Sequence, residues 1–130
     1  MPDRVTHHSD IDTLIVDDEE DICYLLSNIL RRYNYHPYYV TSLKEARQAL
    51  SDIKPSLIFI DNHLPDGFGV DFLARIKIER PLTKVVMISA YDTVEDRTSA
   101  YEKGVDYFIG KPFTSDIVAK AIKFLNIKPD

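Results

Sequence analysis

Short apolar runs alternate five times with segments whose apolar residues recur every three or four positions. Runs with few polar interruptions fit parallel strands covered on both faces, and the three-to-four spacing fits helices that lay one stripe on a sheet. A first strand is predicted over about Asp12 to Val16, followed by a helix whose stripe is Ile22, Leu25, Leu26, Ile29 and Leu30. Tyr35 to Val40 reads as the second strand. The helix after it opens with Ser42 and Glu45 at capping-box spacing and carries Ala46, Ala49 and Leu50 on its apolar face. The third strand, Ser56 to Ile60, is apolar almost throughout and ends at Asp61. Leu64, Pro65, Asp66 and Gly67 predict a turn, because Pro presets φ and Gly permits a positive one, before a helix from about Val70 to Glu79 that Pro81 stops. Val85 to Ile88 form a fourth strand ending at Ser89, and Val94 to Lys103 a helix with Gly104 as its C-cap. A short strand over Asp106 to Ile109 and a last helix from Thr114 or Ser115 to Leu125 complete the series. This alternation predicts an α/β fold, a doubly wound five-stranded parallel sheet with five helices, whose ligands bind outside the carboxyl ends of the strands.

The polar residues fall on that edge. Asp17 and Asp18 follow the first apolar run, Asp61 the third, Ser89 the fourth, and Lys111 lies just past the fifth. Each has an ordinary explanation alone. The acidic run 17–21 suits a helix N-terminus, worth about 0.3 to 1 kcal/mol per group; Asp61 is a turn residue, Ser89 a strand-ending hydroxyl, Lys111 an exposed lysine before a proline. Their shared position on one edge argues for one site. Three carboxylates in a cleft repel one another and raise each other's pKa, so the cluster needs positive charge, and it suits a hard divalent cation such as magnesium. Asp17, Asp18 and Asp61 contribute -3, Lys111 +1 and one Mg2+ ion +2, a sum of zero that would not repel an incoming phosphoryl group. Magnesium, the Lys111 ammonium and the Ser89 hydroxyl would neutralise the equatorial oxygens of in-line transfer, with Asp61 as nucleophile.

At 130 residues the chain has room for one compact domain. Residues 1–10 carry no hydrophobic period and are expected to form a flexible N-terminal tail, with the domain over 11–127; His7 and His8 in the tail are metal-capable residues for which a loose tail is the simpler account. No apolar stretch nears the roughly 20 residues of a membrane span, and the polar start does not resemble a signal peptide, so a cytoplasmic protein is expected, with no membrane partner. The net charge of -5 argues against sequence-independent nucleic-acid binding. Tyr33, Tyr35, Tyr38 and Tyr39 near Arg31 and Arg32 suggest base stacking in passing, but two arginines make too small a basic patch. The single cysteine, Cys23, excludes an internal disulfide and reads as a small core side chain.

Four segments, LIVDDEED, LIFIDNHLPDGFG, VVMISAYD and GVDYFIGKPF, resemble in order and spacing the receiver domain of two-component response regulators, in its single-domain, chemotaxis-regulator-like form, from about Ile11 to Ile127. The resemblance implies a flavodoxin-like strand order of 2-1-3-4-5. It also implies that Asp61 accepts a phosphoryl group from a histidine kinase or histidine phosphotransfer protein, forming an aspartyl phosphate. Asp18, Asp61 and the main-chain carbonyl of His63 would hold Mg2+, Asp17 would act through water, and Ser89 and Lys111 would bind the phosphoryl oxygens. The Lys111–Pro112 bond would be cis. Phe108 falls at the switch aromatic, which swings inward as Ser89 moves; without the hydroxyl of a tyrosine, this switch would rest on packing alone. His63 and Tyr91 would tune water access and dephosphorylation.

The resemblance further implies phosphorelay control of a downstream protein target or output domain, and a dimer through the fourth helix, fifth strand and fifth helix. Tyr101, Lys120 and Lys123 are candidates on that face, although a solvated helix surface explains each of them. Self-phosphorylation and self-dephosphorylation would be the whole of its catalysis, so it would not be an enzyme acting on a separate substrate. Two alternatives stand beside this reading. A haloacid-dehalogenase-like phosphatase would need an acid two residues after Asp61, where His63 stands; a phosphorylation-independent interaction module of the same fold would not need the site at all. No DNA-binding segment follows Asp130, which fits either a stand-alone regulator or a receiver excised from a longer chain.

Overall fold

A computed structural model describes residues 10–128, so the tail expectation for residues 1–9, with His7 and His8, lies outside the described residues. Five parallel strands, β1 (Ile11–Val16), β2 (Tyr35–Val40), β3 (Leu57–Asp61), β4 (Lys84–Ser89) and β5 (Tyr107–Gly110), form one sheet in the order β2-β1-β3-β4-β5. Five helices alternate with them: α1 (Glu20–Arg31), α2 (Leu43–Asp52), α3 (Gly69–Glu79), α4 (Val94–Glu102) and α5 (Ser115–Leu125). The doubly wound sheet with order 2-1-3-4-5 is therefore the observed fold.

Strand side chains alternate between the two faces, and each face has its own core. Ile15, Phe59 and Ile88 meet Leu26, Ile29 and Leu30 of α1 and Val118 and Ala121 of α5 on one side. Leu14, Ile58, Ile60 and Met87 meet Ala46 of α2, Phe72, Leu73 and Ile76 of α3 and Ala100 of α4 on the other. Fully burying one such Leu, Ile or Phe is worth about 1.5 to 3 kcal/mol over leaving it in water. Leu25 departs from the predicted α1 stripe and is 42% exposed, because Cys23 and Ser27 are buried and turn the stripe's centre away from it.

Register aligns the carboxyl ends. Val16 pairs with both Val40 and Ile60, Asp61 with Ile88, and Ser89 with Gly110, so residues just beyond each strand share one edge. The turn predicted at 64–67 is the tip of a small antiparallel ribbon in which His63 pairs with Phe68. Asp66 at that tip caps α2 from a distance, accepting from the Leu43 and Lys44 N–H groups at 2.9 Å each. Ser42 accepts from the Glu45 N–H at 3.1 Å as a capping box requires, but the Glu45 carboxylate takes the Thr41 N–H and hydroxyl rather than the Ser42 N–H. Gly69 packs so closely under the end of β3 that a Cβ there would lie 2.3 Å from the Asp61 carbonyl oxygen. Among the described residues, no helix is long and apolar enough to cross a membrane.

Candidate functional site

Asp17 leaves β1 fully buried. Its N–H donates to the Val40 carbonyl at 3.1 Å, and its Oδ1 accepts from the Glu19 N–H at 2.9 Å. Asp61 ends β3, 5% exposed. Lys111 follows Gly110 of β5, where its N–H donates to the Ser89 carbonyl at 2.8 Å, and Lys111–Pro112 is a cis peptide. Its ammonium stands among three carboxylates: 2.8 Å from Glu19 Oε1, 2.9 Å from Asp17 Oδ2 and 3.7 Å from Asp61 Oδ2. Asp18 lies at the rim, exposed, and one oxygen each from Asp17, Asp18 and Asp61 fall within 4.8 Å of one another.

Charge is unbalanced here. Burial, then repulsion from Asp17, raise the Asp61 carboxyl from the usual 3.8 to about 6, against the pull of Lys111 and a backbone hydrogen bond from His63. Asp17 is also raised, by burial first, although Lys111 and the Glu19 N–H work to lower it. For Lys111, burial opposes the charged form, but its hydrogen bond to Glu19, its close contact with Asp17 and the attraction of Asp17 and Asp61 outweigh it and hold the ammonium above its ordinary range. Buried Asp17 Oδ2 has the ammonium nearby but no well-aligned hydrogen bond. Such a donor set, all hard oxygen with a surplus of negative charge, fits a hard divalent cation. Cys23 is no nucleophile: its Sγ donates to the Asp17 carbonyl at 3.3 Å, and burial, with Asp17 and Glu20 nearby, pushes the thiol up to about 12.

Ser89 is fully buried on the next strand, and its Oγ accepts from the Tyr91 N–H at 3.0 Å. The His63 ring packs on Tyr91 at 4.1 Å between centroids and meets the edge of Phe68 at 5.4 Å. Phe108 is 4% exposed, but it does not rest on apolar packing alone. The Arg97 guanidinium lies 4.8 Å above its ring, and Arg97 is fastened to Asp92 by two hydrogen bonds. Asp92 in turn lies over Gly110, where a Cβ would come within 2.5 Å of its Oδ2.

All the anticipated polar residues thus share one edge, and the structure adds Glu19 to them. With Glu19 included, the anticipated charge sum becomes -4 + 1 + 2 = -1, not zero. One signal in the sequence pointed to it: a long acidic side chain where a helix start normally carries a short cap. Of the tyrosines near Arg31, Tyr35 lies in the core and Tyr39 against the edge of Tyr24 at 5.6 Å, while Tyr33 and Tyr38 are exposed.

The model of the response regulator receiver domain family matches residues 13–123. Response regulator protein PilR of Pseudomonas aeruginosa is 36% identical over 117 residues, covering 87% of this chain and 26% of that protein. Nitrogen assimilation regulatory protein NtrX of Azorhizobium caulinodans is 36% identical over 126 residues, covering 90% and 27%. The chain spans about a quarter of the length of these relatives. Among solved structures, the receiver domain of NtrX from Brucella abortus matches with a TM-score of 0.81 and 34% identity, over 90% of this chain and 100% of that one. A CheY-like receiver domain protein from Methanospirillum hungatei JF-1 matches with a TM-score of 0.82 and 27% identity, over 88% and 92%. Sequence, strand order and neighbours agree that the chain belongs to the response regulator receiver domain family.

Proposed function

We propose that the chain is a magnesium-dependent phosphorylation switch whose acceptor is Asp61. The observation that carries this is a buried carboxylate at the end of the central strand, with a single ammonium among the acids around it. In the proposed reaction an Asp61 oxygen attacks the phosphorus of a phosphohistidine on a histidine kinase or phosphotransfer protein. The P–O bond forms as the P–N bond breaks, and the departing imidazole takes a proton from solvent. A carboxyl that titrates at about 6 is mostly ionised, and so nucleophilic, at neutral pH. Lys111 donates to one phosphoryl oxygen. Ser89 Oγ accepts from Tyr91, which leaves its own proton free for another. Asp17, Asp18 and Asp61, with the His63 main-chain carbonyl, would hold Mg2+, which supplies the remaining positive charge for the phosphoryl oxygens.

The output follows from differential contacts. A phosphoryl group moves an equilibrium only if Ser89 and Lys111 hold it better in one conformation, and a nearly complete switch needs about 5.5 kcal/mol of such difference. Ser89 and Phe108 adjoin α4, β5 and α5, so we assign that face, with exposed Tyr101, Lys120 and Lys123, to a downstream target, an output domain or a second copy. The beryllofluoride-activated NtrC4 receiver domain, 36% identical with a TM-score of 0.81 over 86% of this chain and 93% of that one, is described as a dimer, which supports the last. Turnover of a separate substrate forms no part of this reading, which places the protein in the cytoplasm.

Intact mass after incubation with Mg2+ and acetyl phosphate tests it. One added phosphate is expected on the native protein, and none on Asp61→Asn or without magnesium. Absence of the adduct together with failure to bind beryllofluoride would overturn the proposal. A partner held equally by native and Asp61→Ala protein would then favour the phosphorylation-independent interaction module.

A further inference from the structure

Glu19 stands at the N-cap of α1, where short oxygen-bearing side chains normally turn back onto the first helical N–H groups. Its side chain makes no such bond. It reaches across the carboxyl edge and accepts from Lys111 Nζ at 2.8 Å, joining the first loop of that edge to the last. The nearest counter-ion of the lysine is thus the one acid of the group with no part in the proposed chemistry.

We infer that Glu19 is a positioning residue that holds the Lys111 ammonium on the Asp17 side of the cleft, so that phosphoryl transfer to Asp61 must first draw the lysine away from it. This inference rests on the phosphoacceptor reading and adds a control on the same site. Glu19 and Asp17 take the ammonium at hydrogen-bond distance, whereas Asp61 at 3.7 Å lies beyond it. A phosphoryl oxygen arriving on Asp61 therefore competes with Glu19 for the same donor. It also approaches a cluster that Glu19 makes one charge more negative. Glu19→Gln removes the charge, leaves only a neutral amide oxygen to compete for the ammonium and keeps the start of α1 as it was, because the side chain does not cap the helix. Its side chain is 62% exposed, so solvent screening keeps the effect modest.

The test is the rate of phosphate labelling from acetyl phosphate at saturating Mg2+ for native protein, Glu19→Gln and Glu20→Gln. Glu20, the next acid of the same run, does not contact Lys111 in this structure and reports the effect of net charge alone. Glu19→Gln is expected to label roughly two- to fivefold faster than native, the range that corresponds to an exposed ion pair of about 0.4 to 1 kcal/mol, with Glu20→Gln close to native. Native protein that takes no label and binds no beryllofluoride overturns the phosphoacceptor reading and this inference with it. Labelled native protein with no gain in Glu19→Gln, or an equal gain in Glu20→Gln, overturns the inference alone. A second readout needs no phosphodonor: the Lys111 ammonium hydrogens, followed by 15N NMR, are expected to exchange with solvent faster in Glu19→Gln than in native protein. Unchanged exchange overturns the inference.

Discussion

A lysine meets an aspartate at each end of the sheet, and the two meetings differ. At the amino edge Lys77 Nζ lies 2.9 Å from Asp106 Oδ2 and also donates to the Thr83 carbonyl at 3.0 Å. Asp106 accepts the Val85 N–H at 2.8 Å, and Lys84 stands 3.9 Å from its other oxygen. Two cations and a backbone donor thus serve one carboxylate, and the cluster ties α3, β4 and the entry to β5 together. At the carboxyl edge one cation serves Asp17, Glu19 and Asp61. The first cluster is complete as it stands, and the second would be completed by the positive charge that the proposed function brings to it. What sets the candidate site apart is an uncompensated excess of buried charge, which burial of an ion pair alone would not indicate.

Removing the cation separates the two ends most strongly. Lys111→Met leaves Asp17 and Asp61 buried against each other and is expected to cost about 3 kcal/mol in urea unfolding at pH 7, as when one partner of a buried pair is deleted. Lys77→Met should cost only about 1 kcal/mol, since Asp106 keeps the Val85 N–H and Lys84. Equal losses would erase the contrast. Magnesium at about a hundred times its dissociation constant is expected to add about 2.7 kcal/mol to native protein and to Asp106→Asn, but less to Asp61→Asn, read as shifts in melting temperature.

The same chemical change should also have opposite signs at the two ends. Asp106→Asn loses a charged partner of Lys77 and is expected to destabilise by about 1.5 kcal/mol. Asp61→Asn is expected to stabilise by about 2 kcal/mol at pH 7, because burial first, and then Asp17, raise that carboxyl from 3.8 to about 6 and each unit is worth about 1.4 kcal/mol before screening. Below 3.8 the carboxyl is protonated in both the folded and unfolded states and costs nothing. Between 3.8 and about 6 the folded chain keeps a proton that the unfolded chain releases, so this group's contribution makes stability fall as pH rises, and above that window the full penalty applies. Unfolding curves from pH 3.5 to 7.5 should therefore show the gain from Asp61→Asn growing across that window; a gain independent of pH would locate it elsewhere. The smallest effect belongs to an exposed pair that joins neither cluster. Arg97→Ala takes the cation off the Phe108 ring and should cost about 0.5 to 1 kcal/mol in urea.

Strand ends were legible in the sequence because a parallel sheet puts every carboxyl terminus on one edge. Asp17, Asp61, Ser89 and Lys111 could therefore be brought together without any knowledge of their side-chain directions. Partners that depend on a side chain's reach were not legible. Glu19 and Lys111 are separated by 92 positions, and a long acid at the helix start hints that Glu19 does not cap without saying that it turns across the cleft. Asp66 looked like a turn residue, and its part in capping α2 emerges only when the ribbon folds against that helix. The cation over Phe108 was hidden for another reason: α4 buries only Ala100, so its weak periodicity left the direction of Arg97 undetermined. Leu25 misled because a leucine counts as apolar wherever it falls, while Cys23 and Ser27, two small residues, mark the buried face.

Gly69 sets the height of Asp61 by clearance. Since a Cβ at that position would come within 2.3 Å of a backbone oxygen, with no flexible side chain there to yield, the smallest possible addition must lift the end of β3 or push α3 aside. A hydrogen atom in place of a methyl group is thus a dimensional tolerance on the proposed acceptor. Directed variation that leaves every charged residue intact but admits alanine at 69 would separate chains that still hold the sheet from chains that still present Asp61 at the right depth.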